Sequence, residues 1–507
     1  MQPFKRLLAL LLAGSAFGAL FHVQAFWAVG IKLLCIAAVF VSVQDSQSKT
    51  PKSRALVSPF LLGWAWGAGA TLTGMGWLYT AMHDVGGMPA ALAGVAMGLF
   101  ALLLGAFNGV AAAGAAWSTQ RTQQAALPFV ACWVLGEWLR TWVLTGLPWM
   151  SVGYGFLDTP LAGAAPSLGV LGVGAAAVGL AVCTALLITG RRVAAATAVA
   201  AAIYGCVLLL VCFAAQQFAF TQASGAPLSV ALLQGNVPQT LKFDRAASQT
   251  YMQRYADMAL QSTAQLTVMP ETALPNVLQQ LPAELQAKLS SAPQTLVVGT
   301  IGQTQGSQGV QYTNRLATPY AAQPWTYDKV HLVPFGEAIP SGLQWVVDLM
   351  RMPLSSLRRG AQGQADLTVG GLSIAANICY EEIFAHEWRA RGGAAHLLLN
   401  ASNFGWYGDS NVFAQHANIA RMRALEFQKP YLSATNNGAT LAVLPTGAVQ
   451  ASLAHNTVGT LAVSVQGMVG FTPYARWGDW GAVIAAFLLL AVLHLRAARH
   501  SRRLSPT

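Results

Sequence analysis

Acidic residues are what this chain has least of: Asp and Glu together number 18 in 507 residues, and charged residues of both signs make up only 9%. With 54% hydrophobic residues and a mean hydropathy of +0.47, that scarcity excludes a soluble protein of this length. Cysteine is scarce too. Of the six, Cys35, Cys132, Cys183, Cys206 and Cys212 fall inside apolar segments, where a thiol is usually a small hydrophobe. The sixth, Cys379, is alone in the one long polar stretch, residues 220–475, so it has no partner there for an intramolecular disulfide. The nine His do not cluster at ligand spacing with Cys or carboxylates, so neither a metal nor a cofactor is expected.

Long apolar runs are abundant. A bilayer is crossed by about 20 apolar residues, and seven such runs precede the polar stretch, at 6–24, 26–43, 56–80, 89–113, 125–146, 165–189 and 193–215, with an eighth at 480–496. If the N-terminus is cytoplasmic, the inside collects Lys5, Arg6, Lys49, Lys52, Arg54, Arg121, Arg191, Arg192, Arg496, Arg499, Arg502 and Arg503, against Asp45 alone. The 17 basic and 17 acidic residues left over cancel, so the whole net charge of +11 lies on one side, as the positive-inside rule requires. The basic balance therefore reports topology and anionic lipid contact, not nucleic acid. The same alternation places 220–475 on the outer side of the membrane. Lys5-Arg6, the following apolar run and Val23-Gln24-Ala25 also fit a cleavable signal peptide, which leaves that side unchanged. Three parts are expected: a membrane domain over 1–219, an outer domain over 220–475, and a final span with a basic tail over 476–507.

Within 220–475 short apolar runs are separated by Gly, Pro, Asn and Ser. Those at 228–233, 266–269, 295–299, 372–378, 396–399, 431–434, 440–444 and 460–465 read as strands, and 245–262 and 412–427 as helices. Strands interleaved with helices, then a run of strands, predict a layered α/β sandwich. Three polar residues stand near the ends of apolar runs: Glu271 after Met269-Pro270, Lys329 after Tyr327-Asp328, and Cys379 after Asn377-Ile378. Together they make chemical sense. An ammonium lowers a thiol pKa and stabilises an oxyanion, and a carboxylate moves protons to and from the nucleophile. Such a thiolate attacks an ester or amide carbonyl and gives a thioester.

These residues carry a resemblance. Pro270-Glu271, the stretch Tyr327-Asp328-Lys329-Val330-His331-Leu332-Val333-Pro334-Phe335-Gly336-Glu337, and Ile378-Cys379-Tyr380-Glu381 resemble the Glu, Lys and Cys signatures of the nitrilase, or carbon–nitrogen hydrolase, superfamily. With Gln234-Gly235-Asn236-Val237-Pro238-Gln239, Trp406-Tyr407-Gly408-Asp409-Ser410 and the flanking spans, the chain is similar to the apolipoprotein N-acyltransferase family over nearly its whole length. The resemblance implies a polytopic α-helical membrane domain of about eight spans carrying an extracytoplasmic nitrilase-like α/β/β/α sandwich. It implies Glu271 as general base, Lys329 as partner of thiolate and oxyanion, Cys379 as acylated nucleophile, and Glu337, Tyr380 and Glu381 in support. Two positions depart from the family's usual pattern: Phe243 follows Lys242 where Trp is usual, and Asn403-Phe404-Gly405 precedes Trp406 without the usual Asn-Asp pair. Both bear on substrate fit, with Phe243 and Trp406 as contacts.

The implied partners are a phospholipid acyl donor, a diacylglyceryl apolipoprotein acceptor and membrane lipid; nothing demands a second subunit. The implied setting is a bacterial inner membrane with the catalytic domain periplasmic. Residues 339–357, rich in Trp, Val, Leu and Met, read as an apolar lid or as an ordinary core helix. Trp149 and Tyr154 read as the floor of a lipid entrance or as interfacial anchors. Glu137 and Arg140, spaced i, i+3, read as a mutual ion pair in the fifth span. A membrane-tethered amidase shares the chemistry but needs no eight-span platform; a transporter leaves the Glu, Lys and Cys unexplained.

Overall fold

Apolar runs flanked by small residues become closely packed helices in this chain. The computed structural model describes residues 2–47, 56–189, 195–242, 244–306, 309–334, 336–338 and 357–504. They form two compact units, one of residues 1–76, 94–218 and 477–507, the other of Trp77–Ala93 and Ala219–Arg476.

The first unit is helical: α1 (Gln2–Ala19), α2 (Phe26–Gln47), α3 (Val57–Gly74), α4 (Ala90–Thr122), α5 (Ala126–Arg140), α6 (Ala165–Ile188), α7 (Ala195–Ala215), and a last helix, Trp480–Leu504. Among the described residues, five helices are long and apolar enough to cross a membrane, namely α2, α4, α6, α7 and the last. Helices α1 and α3 have 18 residues each and α5 has 15. Gly14 and Gly18 let α1 meet α3 backbone to backbone: a Cβ at Gly14 falls 1.9 Å from the Trp66 carbonyl oxygen, and one at Gly18 falls 2.2 Å from that of Ala70. Small residues four apart are how helices approach when lipid supplies no hydrophobic drive. Buried polar groups are tied to backbone. Lys32 donates to the carbonyls of Val23 and Gly155. Glu137 accepts from the Val152 N–H at 2.8 Å and Trp133 Nε1 at 3.3 Å, and Arg140 donates to Ser151 Oγ at 3.4 Å. The two charged residues therefore brace the 148–152 turn, a role beyond the mutual pair expected.

The second unit is a four-layer sandwich. Its strands are β1 (Thr221–Ala223), β2 (Leu228–Gln234), β3 (Leu266–Val268), β4 (Thr295–Gly306), β5 (Gly309–Ala317), β6 (Thr326–Asp328), β7 (Leu367–Val369), β8 (Leu372–Ile378), β9 (Leu397–Ser402), β10 (Tyr431–Thr435), β11 (Leu441–Val443), β12 (Val449–Ser452), β13 (Gly459–Val465) and β14 (Met468–Gly470). One sheet has the order β13-β2-β3-β4-β5-β6 and the other β12-β11-β10-β9-β8-β7, while β1 pairs with β14. The central strands β2, β3 and β4, and β8, β9 and β10, are parallel. They are buried on both faces, which is why they read as nearly continuous apolar runs. Leu232, Val268 and Val297 of the first sheet meet Ile374, Leu399 and Leu432 of the second in one core. Helices α8 (Arg245–Leu260) and α9 (Ala283–Ser290) cover the outside of the first sheet through Met252, Tyr255, Leu285 and Leu289. Helices α10 (Ala385–Gly392) and α11 (Val412–Phe427) cover the second through Trp388, Ala420 and Phe427. This is the nitrilase-like α/β/β/α arrangement.

One boundary differs from expectation. The run 56–80 does not continue as a span: α3 ends at Gly74, and Trp77–Ala93 belongs to the sandwich unit. Trp77 is the reason. It is 6% exposed, donates from Nε1 to Gln415 Oε1 at 3.1 Å, and packs edge-on against Tyr407 with centroids 4.8 Å apart. An indole with a polar partner inside the sandwich unit is held there by packing and hydrogen bond together.

Candidate active site

Three strand ends deliver the reactive groups. Glu271 follows β3 on a tight turn where Thr272 adopts φ +46°, a left-handed conformation that is a genuine outlier for a β-branched residue. Lys329 follows β6, its N–H donating to the Asn314 carbonyl at 2.8 Å. Cys379 leaves β8 with φ +53° and opens the 3₁₀ turn Cys379–Ile383. A non-glycine residue held left-handed at a strand end is the kind of strain that stays only where surrounding structure enforces it. Here Asn400 enforces it, donating to the Cys379 carbonyl at 3.1 Å.

The three ends meet in one buried charge cluster. Lys329, 1% exposed, places Nζ 3.2 Å from Glu271 Oε1 and 2.8 Å from Glu337 Oε2. Asn314 on β5 bridges the carboxylates from the other side, donating to Glu271 Oε1 at 2.7 Å and Glu337 Oε1 at 2.8 Å. The backbone N–H of Asn403 completes the ring: it donates to Glu271 Oε2 at 2.9 Å and also faces the Cys379 sulfur. Asn403 is in turn fixed by Gln239 and Asn436, at 2.7 Å and 3.0 Å.

Glu381 holds the nucleophile's strand to the lysine's strand. It is 1% exposed and accepts four hydrogen bonds: from Tyr327 Oη at 2.9 Å, Val330 N at 2.6 Å, His331 N at 2.9 Å and Ile378 N at 2.7 Å. The residues bonded flank Lys329 and precede Cys379. Tyr380, next to the nucleophile, packs edge-on against Phe384 at 5.1 Å and against His331 at 5.6 Å. His331 stacks on Phe384 and shares a 2.8 Å contact through Nδ1 with Glu387.

Electrostatics set the resting state. Burial alone would lower the Lys329 pKa, but Glu271, Glu337 and Cys379 around it hold it well above the ordinary value, so it is a permanent cation. The thiol goes the other way. Burial and the Glu271 carboxylate push Cys379 up, Glu337 adds to the push, and the opposing pull of Lys329 is outweighed. The lysine does pull the thiol down, as expected, but burial first and the two carboxylates after it hold the thiol above its ordinary value. Burial, with Glu387 adding to it, also pushes Glu381 up to about 7, against the N–H groups of His331 and Ile378 that favour its charged form.

The remaining expected residues fall elsewhere. Phe243 and nearly all of the 339–357 segment lie outside the described residues. Trp406 is half-buried on the turn that also carries Tyr407. Trp149 and Tyr154 are 4% and 0% exposed inside the helical unit. They are packed side chains there. Sequence reasoning missed Asn314, which sits mid-strand in a polar run, and Trp77, which looked like the end of a span.

A part-buried cysteine, a buried lysine and paired glutamates at the strand ends of an αββα sandwich define a thiol enzyme of the carbon–nitrogen hydrolase class, joined here to a multi-helix membrane unit. Residues 229–474 match the carbon–nitrogen hydrolase family, and residues 13–184 match the apolipoprotein N-acyltransferase N-terminal domain. An apolipoprotein N-acyltransferase of Ralstonia nicotianae is 41% identical, covering 86% of this chain and 85% of its own. Those of Bordetella bronchiseptica and Chromobacterium violaceum are 36% and 35% identical, over 92% and 96% of this chain and 92% and 94% of theirs. Among solved structures, a nitrilase-superfamily amidase of Nesterenkonia AN1 is 20% identical at a TM-score of 0.35, covering 50% of this chain and 94% of that one. The chain belongs to the apolipoprotein N-acyltransferase family, and it is an acyltransferase carried on a membrane protein.

Proposed function

We propose that the chain transfers an acyl group from a membrane phospholipid, through a thioester on Cys379, to the N-terminal amine of a diacylglyceryl-cysteine lipoprotein. The observation that carries this reading is the Glu271–Lys329–Glu337 cluster beside Cys379 in a chain with membrane-length apolar helices. In the first half-reaction Glu271 takes the thiol proton as sulfur attacks the ester carbonyl, and Lys329 stabilises the oxyanion that forms. The carbon–oxygen bond then breaks, and Glu271 returns the proton to the departing alkoxide, giving lysophospholipid. In the second half-reaction the acceptor amine attacks the thioester carbonyl. Glu271 takes the amine proton and delivers it to sulfur as the carbon–sulfur bond breaks.

With burial and the flanking carboxylates holding the resting thiol above its ordinary value, its activation is coupled to substrate arrival. That limits stray reaction with water and oxidants before lipid is in place. Glu337 keeps Lys329 charged and aimed; Glu381 keeps the strand ends of Lys329 and Cys379 in register. Catalysis on the outer face of a bacterial inner membrane is part of the same reading, carried by the one-sided distribution of basic residues.

The test is transfer itself: purified chain, phospholipid with a labelled acyl chain, and a synthetic diacylglyceryl-cysteine peptide. The reading expects labelled triacylated peptide, lost in Cys379→Ser. Release of free fatty acid with no labelled peptide, or turnover of simple amides, would favour the hydrolase alternative.

A further inference from the structure

Beside the catalytic cluster lies a buried cation that the reaction as written does not use. Lys242 follows the 3₁₀ turn Gln239–Leu241 and is 5% exposed. Its Nζ donates to the Glu271 main-chain oxygen at 3.3 Å and to Thr272 Oγ1 at 2.7 Å. Both acceptors are neutral, and both belong to the turn on which Thr272 is held at φ +46°. A β-branched residue leaves that conformation unless something outside the turn fixes it, and Lys242 bonds to both residues of it.

Resting on the acyl-transfer reading above, we propose that Lys242 is a positioning residue for the general base: its ammonium clamps the Glu271–Thr272 turn and aims the Glu271 carboxylate at Cys379. Lys329 and Lys242 then divide the work. Lys329 meets the carboxylate oxygens and the developing oxyanion, while Lys242 grips the backbone behind them.

A purely structural lysine would behave differently on replacement. Burial lowers Lys242 to about 8, with Glu271 and Cys379 pulling it partly back. A lysine whose folded pKa is depressed favours folding only where it is neutral. The benefit is present above the unfolded pKa near 10.5 and is lost as pH falls through about 8. At pH 7 the charge therefore works against the fold, and an apolar side chain of similar length relieves it. The position costs stability at neutral pH and returns it as geometry at the base.

The experiment measures formation of the acyl-enzyme by intact mass in a single turnover, using full-length protein in micelles with phospholipid and no acceptor. Wild type, Lys242→Met, Lys242→Arg and Thr272→Val are compared between about pH 5 and pH 9. In Lys242→Met the rate at neutral pH should fall roughly tenfold or more. The concentration of phospholipid giving half the maximal rate should stay put, and the unfolding temperature at pH 7 should be unchanged or raised. Lys242→Arg should recover most of the rate. Thr272→Val, which keeps the β-branch and loses only the hydroxyl, should show a smaller loss in the same direction, and it serves if Lys242→Met fails to fold. A wild-type rate in both Lys242→Met and Thr272→Val would overturn the proposal. So would equal losses in Lys242→Met and Lys242→Arg with a lowered unfolding temperature. Absence of any acyl-enzyme in wild type would instead refute the acyl-transfer reading itself.

Discussion

Replacing Glu271 with Gln should make Cys379 more reactive toward a simple electrophile while abolishing acyl transfer. The carboxylate and the sulfur share the Asn403 N–H, which lies 2.9 Å from Glu271 Oε2 and faces the thiol. Two hydrogen bonds to one donor place the charge and the sulfur within roughly 6 Å of each other. At that separation and an effective dielectric of about 20, Coulomb's law gives about 3 kcal/mol, or roughly two units of thiol pKa. Relaxation and water around the new amide remove part of this, leaving about one unit and thus about a tenfold larger thiolate fraction at neutral pH. Iodoacetamide reports thiolate directly, so its second-order rate with Cys379, followed by peptide mass, should rise about tenfold in Glu271→Gln at pH 7. The pH at which alkylation is half-maximal should fall by about one unit. Acyl transfer should be lost in the same variant, because no base remains to receive the proton. An alkylation rate that falls together with transfer would refute the reasoning, since it would mean that Glu271 promotes the resting thiolate.

Three further outcomes follow from the packing. Glu381→Gln keeps one acceptor oxygen and turns an NH₂ toward two of the four donors; unfolding should show a loss of about 3 kcal/mol, and acyl-enzyme formation should drop with it. Trp77→Ala removes the ring against Tyr407 and the hydrogen bond to Gln415, so the sandwich unit should lose about 3 kcal/mol, read by proteolysis of the Trp77–Ala93 segment; Trp77→Phe should recover part of it. Gly14→Leu drives a side chain into the Trp66 carbonyl, which should lower the melting temperature of the detergent-solubilised protein while an added methyl at the open Gly94 leaves it unchanged.

The sandwich was largely legible because its central strands are buried on both faces. Runs such as 228–233 and 372–378 are apolar without alternation and read as strands on sight. Strand β5 was not, because Gln311, Thr313, Asn314 and Arg315 break the apolar pattern; Thr313 and Arg315 instead bind Asp328 at 2.5 Å and 2.7 Å, and Asn314 serves the site. The same holds for β6 and β7, three residues each, too short to show a period. Glu271, Lys329 and Cys379 were legible as residue types at strand ends. Their protonation balance was not, since whether one lysine or two carboxylates governs the thiol depends on distances that only folding sets. The 56–80 run misled because Trp77, Leu78 and Tyr79 satisfy a hydropathy window as well as they satisfy a docked segment.

The most direct test of the account is the mass of the intact protein after incubation with phospholipid and no acceptor, followed by addition of a diacylglyceryl-cysteine peptide. The account predicts a hydroxylamine-labile acyl adduct on Cys379, absent in Cys379→Ser, that disappears from the enzyme as the same acyl chain appears on the peptide amine. An adduct on another residue, or peptide acylated by Cys379→Ser at the wild-type rate, would contradict it.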